Sequence, residues 1–78
     1  MTATTPRRVI LDSTTLAAVV YDDRRGELQL DFRDGARYVY SGIAPELFHD
    51  LLCATSKGSF FNRHIRGCFP YAKLPAQN

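Results

Sequence analysis

The pattern of hydrophobic and polar positions along the chain changes once, near residue 43. Before that point the apolar residues cluster or alternate with a period of two, which is typical of β-strands. The segments 16–21, 27–32 and 36–41 each predict a strand, and "ELQLDF" leaves its three large apolar residues on one face. Short glycine-containing loops join these segments, so the sequence predicts an antiparallel meander.

After residue 43 the apolar residues recur at helical spacing. Pro45 suits the first position of a helix, where its missing N–H is not needed, and this helix is expected to end near Ala54. Ser56 is a good capping residue and Gly67 suits the position after a helix, which predicts a second helix from residue 57 to 66. We therefore predict an α+β fold, with a three-stranded antiparallel β-meander followed by two α-helices packed on one face.

The length of 78 residues allows one domain, which we place at residues 13–71. Residues 1–12 are interpreted as a flexible polar N-terminal arm and residues 72–78 as a C-terminal tail. No apolar run approaches the roughly 20 residues of a membrane helix, so we expect a cytoplasmic protein without a membrane partner. Cys53 and Cys68 have no zinc-ligand spacing, so no metal is expected and the thiols are expected to be reduced.

Two loops fit the turn in "FRDGARYVYSG", and they place Tyr38 and Tyr40 on opposite faces of the sheet. A two-residue loop pairs Phe32 with Arg37 and leaves the tyrosines on an open surface. A three-residue loop pairs Phe32 with Ala36 and turns the tyrosines towards the helices. The second register is favoured because it sets Asp31 across from Arg37 on the solvent side, whereas the first places a charge in the core.

The charges are unevenly distributed along the chain. All eight acidic residues lie at or before Asp50, and the chain beyond it holds four cations and no acid. Such asymmetry favours an anionic partner for the C-terminal part.

The second predicted helix is the best candidate site, because a helix N-terminus followed by basic residues suits phosphate groups. The candidate nucleic-acid- or anion-binding residues are Lys57, Gly58, Ser59, Asn62, Arg63 and Arg66, with Tyr38 and Tyr40 as possible stacking partners. The same residues are also explained without a ligand, by a cap at Ser56, tight packing at Gly58 and a solvated basic surface.

No catalytic motif or phosphate-binding glycine loop is present in the sequence. The pair Asp22–Asp23 lies beside Arg24–Arg25, which predicts a solvated turn and not an acid–base pair. We expect no enzymatic activity and no cofactor.

Four segments together resemble the KTSC domain, which is named for the C-terminal end of certain lysyl-tRNA synthetases and also occurs as a free-standing bacterial or phage protein. They are "LAAVVYD", "LQLDF", "DGARYVYSGIAPELFHDLLCA" and "SKGSFFNRHIR", and the resemblance covers about residues 13–71. Its most specific elements are the Tyr-x-Tyr of Tyr38 and Tyr40 and a run matched at Ser56, Gly58, Phe60, Phe61, Asn62, Ile65 and Arg66. The chain departs from the family pattern at Val20 and Ala44.

The family has no established activity, but its attachment to a tRNA-charging enzyme implies RNA binding. We therefore expect a small binding module for RNA or another polyanion, with phosphates on the second helix. Bases would stack on Tyr38 and Tyr40 only in the two-residue-loop register. The alternative is a protein-interaction or regulatory module that binds a partner through the outer sheet face, including Val39.

Overall fold

The computed structural model describes residues 7–75 and shows a five-stranded antiparallel sheet with two helical segments on one face. The strands follow each other in the sheet in chain order: β1 (Arg7–Ile10), β2 (Leu16–Asp22), β3 (Glu27–Phe32), β4 (Arg37–Tyr40) and β5 (Tyr71–Leu74). Helix α1 spans Pro45–Cys53, and helix α2 (Lys57–Phe60) continues directly into a π-helical turn, Phe61–Ile65. The α+β class and the antiparallel meander are confirmed.

The predicted number of strands was wrong, because two edge strands were missed. Strand β1 pairs with β2 and lies within the predicted arm, while β5 pairs with β4 and includes residues 72–74 of the predicted tail. Each has only four residues, too few for an alternating pattern to stand out, and pairing with the adjacent strand of the sheet stabilises it. Residues 7–10 and 71–74 thus belong to the sheet. Leu11 of the predicted arm is buried in the core, and residues 1–6 and 76–78 of the predicted arm and tail lie outside the described residues.

The hairpin between β3 and β4 has the favoured three-residue loop. The N–H of Phe32 donates to the carbonyl of Ala36 at 2.8 Å, and the N–H of Gly35 donates to the carbonyl of Phe32 at 3.1 Å. Gly35 has a φ of 96°, which a side chain would disfavour. Tyr38 consequently pairs with Leu30 and Tyr40 with Leu28, so both tyrosines lie on the face that the helices cover.

The core lies between the sheet and the helices, and no helix among residues 7–75 is long and apolar enough to cross a membrane. From the sheet it takes Leu16, Val19, Tyr21, Leu28, Leu30 and Tyr40; from the helices it takes Phe48, Leu51, Phe61 and Ile65. Tyr21 connects the two layers. Its ring stacks on Phe48 with centroids 4.5 Å apart, and its hydroxyl donates to the carbonyl of Ile43 at 2.7 Å.

The Tyr21 hydroxyl predicts a loss of stability at alkaline pH. Burial, assisted by nearby carboxylates, raises the pKa of Tyr21 above its ordinary value of 10.0. Because the folded state holds this proton more tightly than the unfolded chain does, its contribution is fully present below pH of about 10 and is lost as the pH rises further. Urea unfolding at several pH values should show a free energy of unfolding that falls above pH of about 10. Tyr21→Phe should weaken that dependence and the exposed Tyr71→Phe should not; an unchanged dependence in Tyr21→Phe would contradict this assignment.

The second helix begins as predicted but does not continue as a regular α-helix. The Ser56 hydroxyl accepts a hydrogen bond from the N–H of Ser59 at 3.3 Å, and Gly67 ends the helix with a φ of 77°. Between them, the N–H of Arg66 donates to the carbonyl of Phe61 at 2.8 Å, which closes a wider, five-residue turn. Such turns are uncommon and are frequent at functional sites. This one buries Phe61 and Ile65 and leaves Asn62 and Arg66 exposed beside the sheet.

Candidate functional site

An open groove of about 530 Å³ lies on the helix side of the sheet, between the π-helical turn and strands β4 and β5. Tyr71 on β5 lies on the inner face of the sheet and is 60% exposed, so the helices leave part of that face uncovered. We call this opening the aromatic groove. Its lining residues are Thr15, Phe32, Asp34, Ala36, Tyr38, Tyr40, Phe61, Asn62, Arg66, Gly67 and Tyr71.

Five rings of the groove form one continuous aromatic surface. Tyr40 stacks against Tyr71 with centroids 5.3 Å apart and planes inclined by 28°. Tyr38 forms edge-to-face contacts with Tyr71 and Phe32, with ring centroids 5.8 Å and 5.7 Å apart. Phe61 contacts both Phe32 and Tyr40 from the helix side. Edge-to-face and offset contacts of this kind hold the rings in fixed orientations, which suits the binding of a planar apolar ring.

The three tyrosines of the groove differ in exposure, both along β4, which holds Tyr38 and Tyr40, and between β4 and the edge strand β5, which holds Tyr71. Tyr40 is 3% exposed, Tyr38 is half-buried, and Tyr71 is 60% exposed. The tyrosine pair therefore belongs partly to the core and partly to an open surface. The hairpin register was expected to place the tyrosines either in the core or on an open surface. Both occur, because the helices cover only part of the face on which the tyrosines lie.

Polar and charged groups border the aromatic surface. Arg66 and Asn62 lie at the helix side, Asp34 lies at the β3–β4 loop, and the Lys73 ammonium lies 5.9 Å from the centre of the Tyr38 ring. Arg66 forms no ion pair within the described part of the chain, so its guanidinium is available to an anion.

The hydroxyl of Tyr40 stays protonated at neutral pH. Burial raises the pKa of Tyr40, the neighbouring Tyr71 adds to the increase, and Arg66 partly offsets it. A neutral phenol can both donate and accept a hydrogen bond. The groove thus combines ring faces, a hydrogen-bonding hydroxyl and two cations.

The structure divides the predicted site residues between different places. Tyr38, Tyr40, Asn62 and Arg66 come together in the aromatic groove. Ser59 and Arg63 are exposed on the second helix and line none of the described depressions.

Lys57 and Gly58 lie apart from the groove, in a smaller depression of about 220 Å³ near the β1–β2 loop. The Lys57 ammonium donates to the carbonyl of Ala54 at 2.9 Å, so it stabilises the end of α1. A Cβ added to Gly58 would lie 3.0 Å from the Thr15 hydroxyl oxygen, so the glycine allows the helix to pack tightly there. These contacts give both residues a structural role.

The outer face of the sheet, opposite the helices, carries mixed side chains. No described helix covers it, and Ile10 is 71% exposed there. Val39 is half-buried on the same face, between Gln29 on β3 and Ala72 on β5. Asp31 lies across from Arg37 as predicted, with the guanidinium Nε and a carboxylate oxygen 3.6 Å apart.

Sequence reasoning missed three aromatic residues of the groove, namely Phe32, Phe61 and Tyr71, as ligand-facing groups. Phe32 and Phe61 follow the apolar pattern of the core, which gives no sign of an opening above them. The signal for Tyr71 was weak: a strand between Pro70 and Pro75 would set Tyr71 and Lys73 on one face, but the four residues "YAKL" are too few to establish one.

Comparisons with known proteins agree on one family. The KTSC domain matches residues 12–69 of the chain. A protein of Tsukamurella paurometabola is 39% identical over 59 residues, which cover 76% of this chain and 88% of that protein. A lysine–tRNA ligase of Nostoc punctiforme is 35% identical over 54 residues, 69% of this chain but 10% of the ligase.

A solved structure has the same fold. The crystal structure of a KTSC domain protein from Yersinia pestis superimposes with a TM-score of 0.86 and is 28% identical. The superposition covers 91% of this chain and all of that protein, so the overall fold is also known by experiment.

Proposed function

This chain belongs to the KTSC domain family, and we propose that it is a small non-enzymatic module that binds single-stranded RNA through the aromatic groove. The observation that carries this proposal is the aromatic surface of Tyr38 and Tyr71, which is open to solvent, is backed by the buried ring of Tyr40 and is bordered by the cation of Arg66. Rings that accept unstacked bases beside cations that accept phosphates are the usual components of single-strand recognition.

The shape of the site favours a single strand over a duplex. In a double helix the faces of the bases are stacked on each other, so ring faces on the protein have nothing to stack against. Ligand sites generally occupy about 300–1,000 Å³, and the groove falls in that range with about 530 Å³. Its dimensions suit one or two nucleotides, while the adjoining phosphates extend along the surface.

The family relation supports RNA as the polyanion. One relative is a lysine–tRNA ligase, an enzyme named for a tRNA substrate, and the matching segment is a tenth of its length. A cytoplasmic location, where RNA is abundant, accompanies the proposal.

Removing the charge of Arg66 should weaken RNA binding and reduce its dependence on salt. Binding of a fluorescent nine-nucleotide single-stranded RNA, followed by anisotropy at several salt concentrations, measures both quantities. Arg66→Gln should lower the affinity several-fold and reduce the slope of log K against log[salt] by about 0.7, the single-strand value for one phosphate contact. Arg63→Gln is the matched control, because it removes an equal charge from the same helical segment but outside the groove.

The control distinguishes the groove from a diffuse basic surface. Equal losses in Arg66→Gln and Arg63→Gln would indicate attraction to the whole helix and contradict binding in the groove. If folded wild-type protein binds no RNA at low salt, the proposal fails, and a protein partner on the outer sheet face becomes the better interpretation. Such an interface would respond to Val39→Asp and only weakly to salt.

A further inference from the structure

We propose that Arg8, Arg33 and Arg37 form a second binding site, on the outer face of the sheet, that takes a phosphate group. The three side chains line a depression of about 420 Å³, which we call the arginine depression. Asp31 is the acidic residue in its lining, and Ala17, Ala18, Phe32 and Gly35 complete it. This site lies on the opposite face from the aromatic groove and does not depend on the function proposed for the groove.

The carboxylate of Asp31 does not satisfy the arginines around it. Its shortest hydrogen bond comes from the Gln29 amide, at 2.8 Å. The guanidinium of Arg8 lies 3.5 Å from it and that of Arg37 lies 3.6 Å away. Charge-assisted hydrogen bonds in proteins are normally about 2.7–2.9 Å long. Both arginines are therefore held near the carboxylate while most of their donors stay unused.

Among these unused donors, the Nε–H group of Arg37 bears most directly on anion binding. Its Nε atom is buried and has no hydrogen-bond acceptor among the residues that the structure describes, although its side chain as a whole is 28% exposed. A buried donor without an acceptor is unfavourable, and native structures contain few of them. The nearest acceptor is Asp31 Oδ1, which lies 3.6 Å from this Nε atom, so an oxyanion in the arginine depression would add the close acceptor that the Arg37 guanidinium lacks.

Arg33 is fixed in place by the backbone. Its Nε donates to the carbonyl of Ser13 at 2.7 Å, and one of its terminal nitrogens donates to the carbonyl of Leu11 at 3.0 Å. The guanidinium plane is thereby oriented, and one terminal nitrogen remains without a partner in residues 7–75. A preorganised guanidinium loses little side-chain entropy when it binds an anion.

The composition of the depression favours a phosphate group. Three guanidinium groups and one carboxylate leave it positively charged, so an anion is attracted and a cation is repelled. Several guanidinium groups on different strands can reach several oxygens of one tetrahedral phosphate at once, and arginine is well suited to this geometry. The group can come from free phosphate or from the backbone of a bound nucleic acid.

Titration with inorganic phosphate tests the site directly. Two-dimensional NMR of the arginine Nε–Hε groups should show a saturable shift of the Arg37 signal, with chloride at matched ionic strength as reference. Arg37→Gln and, separately, Arg8→Gln should weaken phosphate binding by about tenfold. Arg24→Gln, in the exposed loop after β2, should leave it unchanged. The Arg8 variant keeps the test decisive if Arg37→Gln does not fold. A linear shift without saturation, or equal binding in all three variants, would overturn the proposal.

A second experiment, which compares two RNAs of different length, identifies the source of the phosphate. If the nine-nucleotide RNA loses affinity in Arg37→Gln while a trinucleotide does not, the depression holds the backbone of a strand that extends beyond the groove. If phosphate binding is saturable and both RNAs are unaffected, the site takes a free phosphate compound. Each result supports the site; the first also requires RNA to bind the protein, whereas the second does not.

Discussion

Replacing Phe61 with alanine should lower the free energy of unfolding by about 3–5 kcal/mol, the range measured for large aromatic residues in protein cores. Phe61 is 5% exposed and contacts Phe32 and Tyr40, so it joins the π-helical turn to two strands. Its removal leaves a cavity under the aromatic groove. Because the core of a domain this small supplies only a few kcal/mol of net stability, urea unfolding followed by circular dichroism should show a large decrease in the midpoint.

Phe60→Ala is the matched control for this loss. Phe60 is the preceding residue of the same helical segment, but it is half-buried and packs beside His64 at the margin of the core, with ring centroids 4.5 Å apart. A smaller loss, about 1–2 kcal/mol, is expected there because less apolar area leaves water on folding. If Phe60→Ala costs as much as Phe61→Ala, the π-helical turn does not orient the helix as described.

Replacing Tyr38 with alanine should lower the affinity for single-stranded RNA by about 5- to 150-fold, which corresponds to 1–3 kcal/mol for one stacked base. Tyr38 lies in the middle of the aromatic groove, and its ring orients Tyr71 and approaches Lys73. Its half-buried position limits the cost in stability. Fluorescence anisotropy with the nine-nucleotide RNA measures the affinity, and circular dichroism confirms that the variant is folded.

Two further variants separate stacking from other causes. Tyr38→Phe keeps the ring and should retain affinity within about threefold, since only one hydrogen bond can be lost. Val39→Ala changes the adjacent residue, whose side chain points to the outer face, and should leave RNA binding unchanged. If Val39→Ala weakens binding more than Tyr38→Ala, the ligand lies on the outer face of the sheet.

The central part of the fold could be predicted from local sequence patterns. Leu28, Leu30 and Phe32 alternate with polar residues, and Pro45 and Ser56 mark helix starts, because each of these signals depends on near neighbours in the chain. The register of the β3–β4 hairpin also followed from the sequence, through the cost of burying Arg37 and the benefit of pairing it with Asp31. The structure confirms this pair and the loop that it requires.

The edges of the sheet and the groove could not be predicted in the same way. Strands β1 and β5 form because β2 and β4 offer them unpaired backbone groups, which is a tertiary effect that a four-residue pattern does not reveal. The groove lies between a π-helical turn and strands β4 and β5, and nothing in the pattern of Phe61 and Ile65 distinguishes that turn from an α-helix.

The arginine depression could not be predicted from the distribution of charge along the chain. The first 50 residues have more acids than bases, which suggested that an anion would bind elsewhere. Folding nevertheless brings Arg8, Arg33 and Arg37 together on neighbouring parts of the sheet. Net charge along a segment does not determine where a positive patch forms in space.

Stacking of unpaired RNA bases in the aromatic groove can be tested by NMR titration of the labelled protein with the nine-nucleotide RNA. Ring signals of Tyr38 and Tyr71 should shift together, with saturation, and show nuclear Overhauser contacts to base protons, whereas the buried ring of Tyr40 should respond only through its stacking on Tyr71. The side-chain signal of Arg66 should move with them. Shifts confined to Val39 and the outer face, or to Arg63 and the solvent side of the second helix, would contradict it.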